Sequence, residues 1–334
     1  QWHLLVELKI VAMEKKRVSS QLKSIRELKQ LGITPLISQC LILSQWVNDL
    51  PIKHLLILLF IMAAHGSAFP VAKLALNNSV PPILMASLRM ALVLLILIPF
   101  WKFKLPEKKY YKSLIFFSLS MGVMVYVFMN LSLFHSSIIS PIILGSQLAI
   151  PFGIIASAFI LDENISRKKW ILIFTSFLGI LIIFFDPKLT DNFLGLLFAS
   201  LMALFFGLAQ VYSRQLKDLS ISLINASTGL FGFVILIFIS SILEGEVIKN
   251  IRLIEMESWI LISYQAIIVS LCAHLLMFYL YKFYTVGKIF PFYSLFPIFG
   301  ILLSFLIFGE VPSFLFVIGG IIVISSVIFL HKIS

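Results

Sequence analysis

The chain of 334 residues is 60% hydrophobic and 12% charged, with a mean hydropathy of +1.06, well beyond what a water-soluble fold of this length can bury. A formal net charge of +11 invites a nucleic-acid reading, but Lys and Arg gather at the ends of apolar runs instead of along one face. They read as topology signals, and no nucleic-acid partner is expected. Two cysteines, Cys40 and Cys272, are too few for a disulfide framework or a thiolate metal site, and neither metal nor cofactor is expected.

Residues 1–53 form a basic extension in which Lys15, Lys16, Arg17, Lys23, Arg26 and Lys29 lie close together and no apolar run is long enough to cross a bilayer. Two readings stand open. Residues 19–29 form a basic helix on an anionic leaflet, or the start is misassigned, since the chain opens with Gln1 and Met13 follows. The stretch 32–50 carries Pro35, Gln39, Gln45, Asn48 and Asp49 and is not counted as a span.

Ten apolar runs follow, at 55–76, 82–100, 114–134, 138–161, 170–185, 193–212, 221–243, 259–281, 289–308 and 314–330. Their length of about twenty residues suits a helix crossing a hydrocarbon core of about 30 Å. They are apolar throughout, without the alternation of a barrel strand. The expectation is an all-α integral membrane protein with ten transmembrane helices. With the N-terminus inside, thirteen basic residues between Lys102 and Lys332 fall in cytoplasmic connections, and only Lys188, Lys249 and Arg252 fall on the other side. That bias predicts an N-in, C-in topology.

The chain also repeats itself. At an offset of 147, Phe152, Gly153, Ile154, Ser157, Glu163 and Ser166 fall on Phe299, Gly300, Ile301, Ser304, Glu310 and Ser313. Lys73 aligns with Arg214, and Ala86 and Ser87 align with Ala226 and Ser227. The halves are 54–187 and 188–334. Each has five spans, an odd number, so the two are inverted five-helix repeats.

The segments PFGIIASAFILDE at 151–163 and PIFGILLSFLIFGE at 297–310, with HGSAFPVAK at 65–73 and PPILMASLR at 81–89, resemble the drug/metabolite transporter superfamily and, within it, the EamA-like ten-helix transporters. The likeness spans about residues 55–330. It implies a central cavity lined by the first four helices of each half, peripheral fifth and tenth helices, and residence in a bacterial-type inner membrane. The halves depart from each other where Asp162 faces Gly309.

Arg89 sits about eight residues into the second span, where an unpaired charge is costly. It either holds the carboxylate or phosphate of a substrate by bidentate contact, or anchors helix carbonyls or snorkels outward. Its counterpart in the second half is Gly229. Lys73, at the end of the first span, is expected to snorkel. His65 and His274 lie inside the first and eighth spans as proton-relay or donor candidates, with interhelical packing as the alternative. Gln147, Gln210, Asn130 and Asn225 are intramembrane amides that line a cavity or bridge helices, and Tyr293 is a further substrate-binding candidate. Pro141, Gly145 and Pro151 answer Pro291, Pro297 and Gly300 as paired helix-break or gating candidates. Glu163 and Glu310 read as helix-end residues with a structural or gating role.

The spans lack an acidic residue near their centres, a P-loop and any local catalytic pattern, so no enzyme is expected. The resemblance implies a secondary transporter moving a small polar metabolite, an amino acid or related solute, with export favoured. Uptake of a nucleotide-like or phosphorylated metabolite, using Arg89 with Lys73, is one alternative. A non-transporting assembly protein or membrane-embedded enzyme is another. The expected partners are a small-molecule substrate and the lipid bilayer, and the sequence sets no oligomeric state.

Overall fold

In lipid every backbone N–H and C=O needs an internal partner, so an apolar chain of this kind must be helical where it crosses. The computed structural model describes residues 50–100, 106–187, 192–284 and 290–333, and these are helical, with no strand among them. The basic extension up to residue 49, and Lys102, Lys104, Lys188 and Lys288, lie outside the described residues. From Lys53 onward the chain packs as one unit.

Apart from the short helix Val247–Leu253, the helices are α1 (Ile52–Asn77), α2 (Pro82–Leu97), α3 (Lys108–Phe134), α4 (Ser140–Ile160), α5 (Arg167–Phe184), α6 (Phe193–Gln215) and α7 (Ile221–Leu243). They continue with α8 (Met256–Tyr264, extended by Gln265–Cys272 and Ala273–Tyr281), α9 (Phe296–Phe308) and α10 (Phe314–Ile333). Six of them, α1, α3, α4, α6, α7 and α8, are long and apolar enough to cross a membrane, and α2, α9 and α10 are shorter apolar helices. Starts follow local chemistry. Pro82 opens α2, and Ser166 and Ser220 cap α5 and α7 by accepting from the N–H groups of Lys169 and Leu223.

The interruptions obey the repeat. α3 has a π-helical stretch at Leu119–Met124 and α8 has one at Gln265–Cys272, which coincide at the offset of 147. In α4 a 3-10 turn, Ser146–Leu148, divides the helix. Its mate falls in the 3-10 turn Phe290–Leu295 that leads into α9. Even the sequence departure at Asp162 and Gly309 conceals one conformation, because both are left-handed, with φ of 53° and 69°. Asp tolerates this region better than most residues, and Gly does so freely.

Glycines bring the halves together. A Cβ on Gly66 of α1 would lie 2.5 Å from the carbonyl oxygen of Phe296 in α9, and one on Gly300 of α9 would lie 2.9 Å from the carbonyl oxygen of Gly66. The mirror contact joins α6 to α4, where a Cβ on Gly207 would lie 2.6 Å from the nitrogen of Gly153. Gly207 stands 141 residues after Gly66, the offset of Lys73 and Arg214, and Gly300 stands 147 after Gly153. Each half thus lends its first helix to the other half's fourth. Around these contacts one apolar core joins α2, α3, α7 and α8 through Met90, Val123, Leu236 and Ala266, and another joins α4, α5, α6 and α10 through Leu148, Ile180, Ala203 and Val323.

Because the obstacle at Gly66 is backbone, it cannot rotate aside. Gly66→Ala is expected to destabilise the protein by about 1–3 kcal/mol, read as a lower thermal unfolding midpoint in detergent. An unchanged midpoint would mean that α1 and α9 part without penalty.

Candidate substrate site

Arg89 is the only charged residue within α2, and it is turned inward, 4% exposed. Its guanidinium stands over the ring of Tyr126 in α3, 4.4 Å from the centroid. Nε donates to Ser270 Oγ at 3.0 Å and Nη1 donates to Gln265 Oε1 at 2.7 Å. Both acceptors belong to α8, so the first half's charge is held by the second half. In a regular α-helix residues five apart point about 140° away from each other. The i→i+5 bonding of the π-helical stretch returns Gln265 and Ser270 to one face. Without that stretch they would not converge on one guanidinium.

Two imidazoles extend this group by way of Ser270, whose hydroxyl accepts from Arg89 and whose carbonyl accepts from His274. His65 in α1 and His274 in α8 meet edge to face with centroids 5.4 Å apart. His274 Nδ1 faces the Ser270 carbonyl at 2.7 Å. A carbonyl only accepts, so Nδ1 carries the hydrogen. His65 Nε2 is 3.3 Å from the hydroxyl of Tyr293, which stands in the 3-10 turn before α9. Nearby, Ser67 of α1 pairs with Tyr264 of α8 at 2.8 Å. Arg89, His65, His274 and Tyr293 are therefore assembled into one polar cluster from α1, α2, α3, α8 and the turn before α9.

The other sequence candidates lie elsewhere. Asn130 bridges helices, its amide donating to the Pro82 carbonyl at 2.8 Å. Gln147 is buried in the 3-10 turn of α4, and its Oε1 has no hydrogen-bond partner. Gln210 on α6 and Asn225 on α7 are half-buried and outside the hydrogen bonds of the Arg89 cluster. Among the helix-break candidates, Gly145 ends the first part of α4, Pro151 falls in the first turn of its second part, and Pro291 lies in the 3-10 turn before α9. Pro141 and Pro297 stand at helix starts, where a missing N–H does no harm, and Gly300 packs inside an unbroken helix.

Lys73 does not snorkel. Its ammonium donates to the carbonyls of Leu133 and Ser136 at 2.8 and 2.7 Å, meeting the orphan acceptors where α3 ends. This also removes it from a pair with Arg89. At the same end of the bundle, Glu310 accepts from the N–H groups of Ile139 and Ser140 at 2.6 and 3.0 Å and from Ser140 Oγ at 2.6 Å. Glu244 likewise accepts from the N–H groups of Ile83 and Leu84 at 2.7 and 2.8 Å. Two second-half carboxylates thus cap first-half helices. Asn192 gathers Ser136, Ser137 and Ile138 through one side-chain oxygen. Glu163, the repeat mate of Glu310, instead pairs with Arg214 at 3.0 Å, with the two side chains 50% and 61% exposed.

Sequence reading misses Gln265, Ser270, Glu244 and Asn192. Gln265 was visible as an amide in an apolar run, but its partner was not, because the π-helical phase has no signal in composition.

A family model described as the EamA-like transporter family matches residues 52–185 and 193–331. No curated protein matches the sequence. A solved structure titled "Crystal structure of protein" is similar over 83% of this chain and 96% of its own length, at 14% identity and a TM-score of 0.55. That likeness is one of fold.

The two glutamates are expected to differ sharply in worth. Glu310→Ala orphans three donors and should cost about 1–3 kcal/mol, whereas Glu163→Ala breaks an exposed pair worth roughly 0–1 kcal/mol. Thermal unfolding of the two variants in detergent, side by side, checks the order.

Proposed function

Since the chain belongs to the EamA-like transporter family, a family of multi-pass membrane proteins, we propose that it is a secondary transporter that carries a small polar metabolite across the inner membrane by alternating access. The two inverted repeats rock about the polar cluster, which is exposed to one side and then the other. The observation that carries this reading is Arg89, a buried cation of one half whose hydrogen bonds go to neutral groups of the other. A cation so placed in lipid is costly unless it has work.

Further support comes from the location of the interruptions. They fall in the third and fourth helices of each half, at matching positions, where freed backbone and side-chain groups suit a moving element. The positive-inside bias supports ten spans with both termini inside. The family resemblance favours export of a small polar solute from the class of amino acids and related metabolites, of which the carboxylate is the part a guanidinium can hold. The phosphorylated-solute alternative loses its second cation, because Lys73 is engaged at the end of α3.

Solute counterflow in proteoliposomes tests the proposal. Wild-type protein should exchange at least one solute of a panel of amino acids, carboxylates, nucleotides and sugar phosphates. Arg89→Ala should reduce that exchange roughly ten-fold or more. A folded wild-type protein that exchanges none of them would refute the transport reading, and full exchange in Arg89→Ala would make the arginine structural.

A further inference from the structure

The hydrogen-bond ledger around Arg89 is one-sided. Nε and Nη1 are engaged, and Nη2 donates to no described residue. Gln265 adds a second idle donor. Its oxygen must face Arg89, because a guanidinium only donates, so the amide cannot be flipped and Nε2 points elsewhere. Gln265 is 1% exposed and that Nε2 has no partner. That buried, idle amide donor carries a desolvation penalty. The cluster therefore offers N–H groups and lacks an acceptor to match them.

The charge ledger agrees. No Asp or Glu occurs within α1, α2 or α9, in the 3-10 turn before α9, in residues 108–134 of α3, or in residues 258–281 of α8. The groups that touch Arg89 are Tyr126, Gln265 and Ser270, with His274 hydrogen-bonded to the Ser270 carbonyl and His65 against His274. None of them is a carboxylate, so among the described residues the guanidinium charge has no counter-ion of its own. The Tyr126 face offsets part of the burial penalty, but a quadrupole leaves the net charge in place.

Resting on the transport reading, we infer that the Arg89 site takes small organic anions carrying a single carboxylate, held through Arg89 Nη2 with the Gln265 amide as the second donor. One carboxylate neutralises one guanidinium and accepts from both donors. A phosphate monoester, with a charge of about −1.5 to −2 near neutral pH, would leave uncompensated negative charge in the bilayer interior. A zwitterionic amino acid would bring an ammonium that meets no carboxylate here, and the Tyr126 face already serves Arg89. Arg89 is nearly inaccessible in this conformation, so the anion reaches it when the halves part.

The test is counterflow with a charge series of radiolabelled probes, namely lactate and benzoate as monocarboxylates, alanine, glycerol phosphate, putrescine and glucose. Monocarboxylates should exchange, and each of the others should exchange roughly ten-fold more slowly or not at all. Gln265→Glu places a carboxylate against Arg89 and should abolish monocarboxylate exchange while the thermal midpoint is kept or raised. Arg89→Gln, which removes the charge at similar size, serves as the second variant and should also lose it. Exchange confined to alanine, glycerol phosphate, putrescine or glucose would overturn the charge assignment and leave transport standing. Monocarboxylate exchange that survives in folded Gln265→Glu would also overturn it. Folded wild-type protein that exchanges no probe, monocarboxylates included, would sink the inference, and silence across the wider panel would sink the transport reading with it.

Discussion

The arrangement depends on backbone approaching backbone across the two halves. Lipid tails are as apolar as leucine, so helices in a bilayer gain little from hiding apolar side chains and associate by close packing of small residues. Gly66 against Gly300, and Gly207 against Gly153, bring α1 onto α9 and α6 onto α4 at distances that leave no room for a Cβ on Gly66, Gly300 or Gly207. Because each contact joins one half to the other, neither half has its first helix packed without its partner. The twofold relation between the repeats is thus a packing requirement as well as a trace in the sequence.

This exchange decides where polar groups can meet. α1 carries His65 one residue before Gly66, and α9 is preceded by the turn that holds Tyr293, so the glycine crossing delivers both to the seam between halves. α2 and α8 deliver Arg89 and its two acceptors to the same seam. The symmetry stops there. Gly229 stands where the second half would carry its arginine, and Ser118, with its hydroxyl unpartnered, stands where the first half would carry Gln265. The two repeats share a frame, and the buried charge belongs to one of them alone.

The helix ends show how a bundle of short connections satisfies its termini. Carboxylates at the ends of α7 and α9 reach across to the first N–H groups of α2 and α4, and the ammonium of Lys73 reaches the last carbonyls of α3. Negative charge at helix starts and positive charge at helix ends follow the helix dipole. Glu163 and Glu310 occupy equivalent sequence positions, yet one caps a buried helix start and the other forms an exposed ion pair. Repeat mates thus have unequal surroundings in a single conformation.

Hydropathy by itself determined that the chain is a helical membrane protein, because run length and unbroken apolarity follow directly from bilayer thickness. The offset of 147 residues marked the repeat, and the family-like segments around Glu163 and Glu310 pointed to the EamA-like family. Arg89, His65, His274 and Tyr293 stood out as polar residues in apolar runs, since intramembrane polarity is rare enough to be visible one residue at a time. Tertiary structure alone decided which of them meet. Gln265 and Ser270 converge on Arg89 only through a π-helical stretch, Lys73 turns to carbonyls 60 and more residues away in sequence, and Gly300 proves to be a packing contact and not a break. Periodicity records which face a residue takes on its own helix. It carries no information about which other helix that face will meet, because that is set by close packing between segments far apart in the chain.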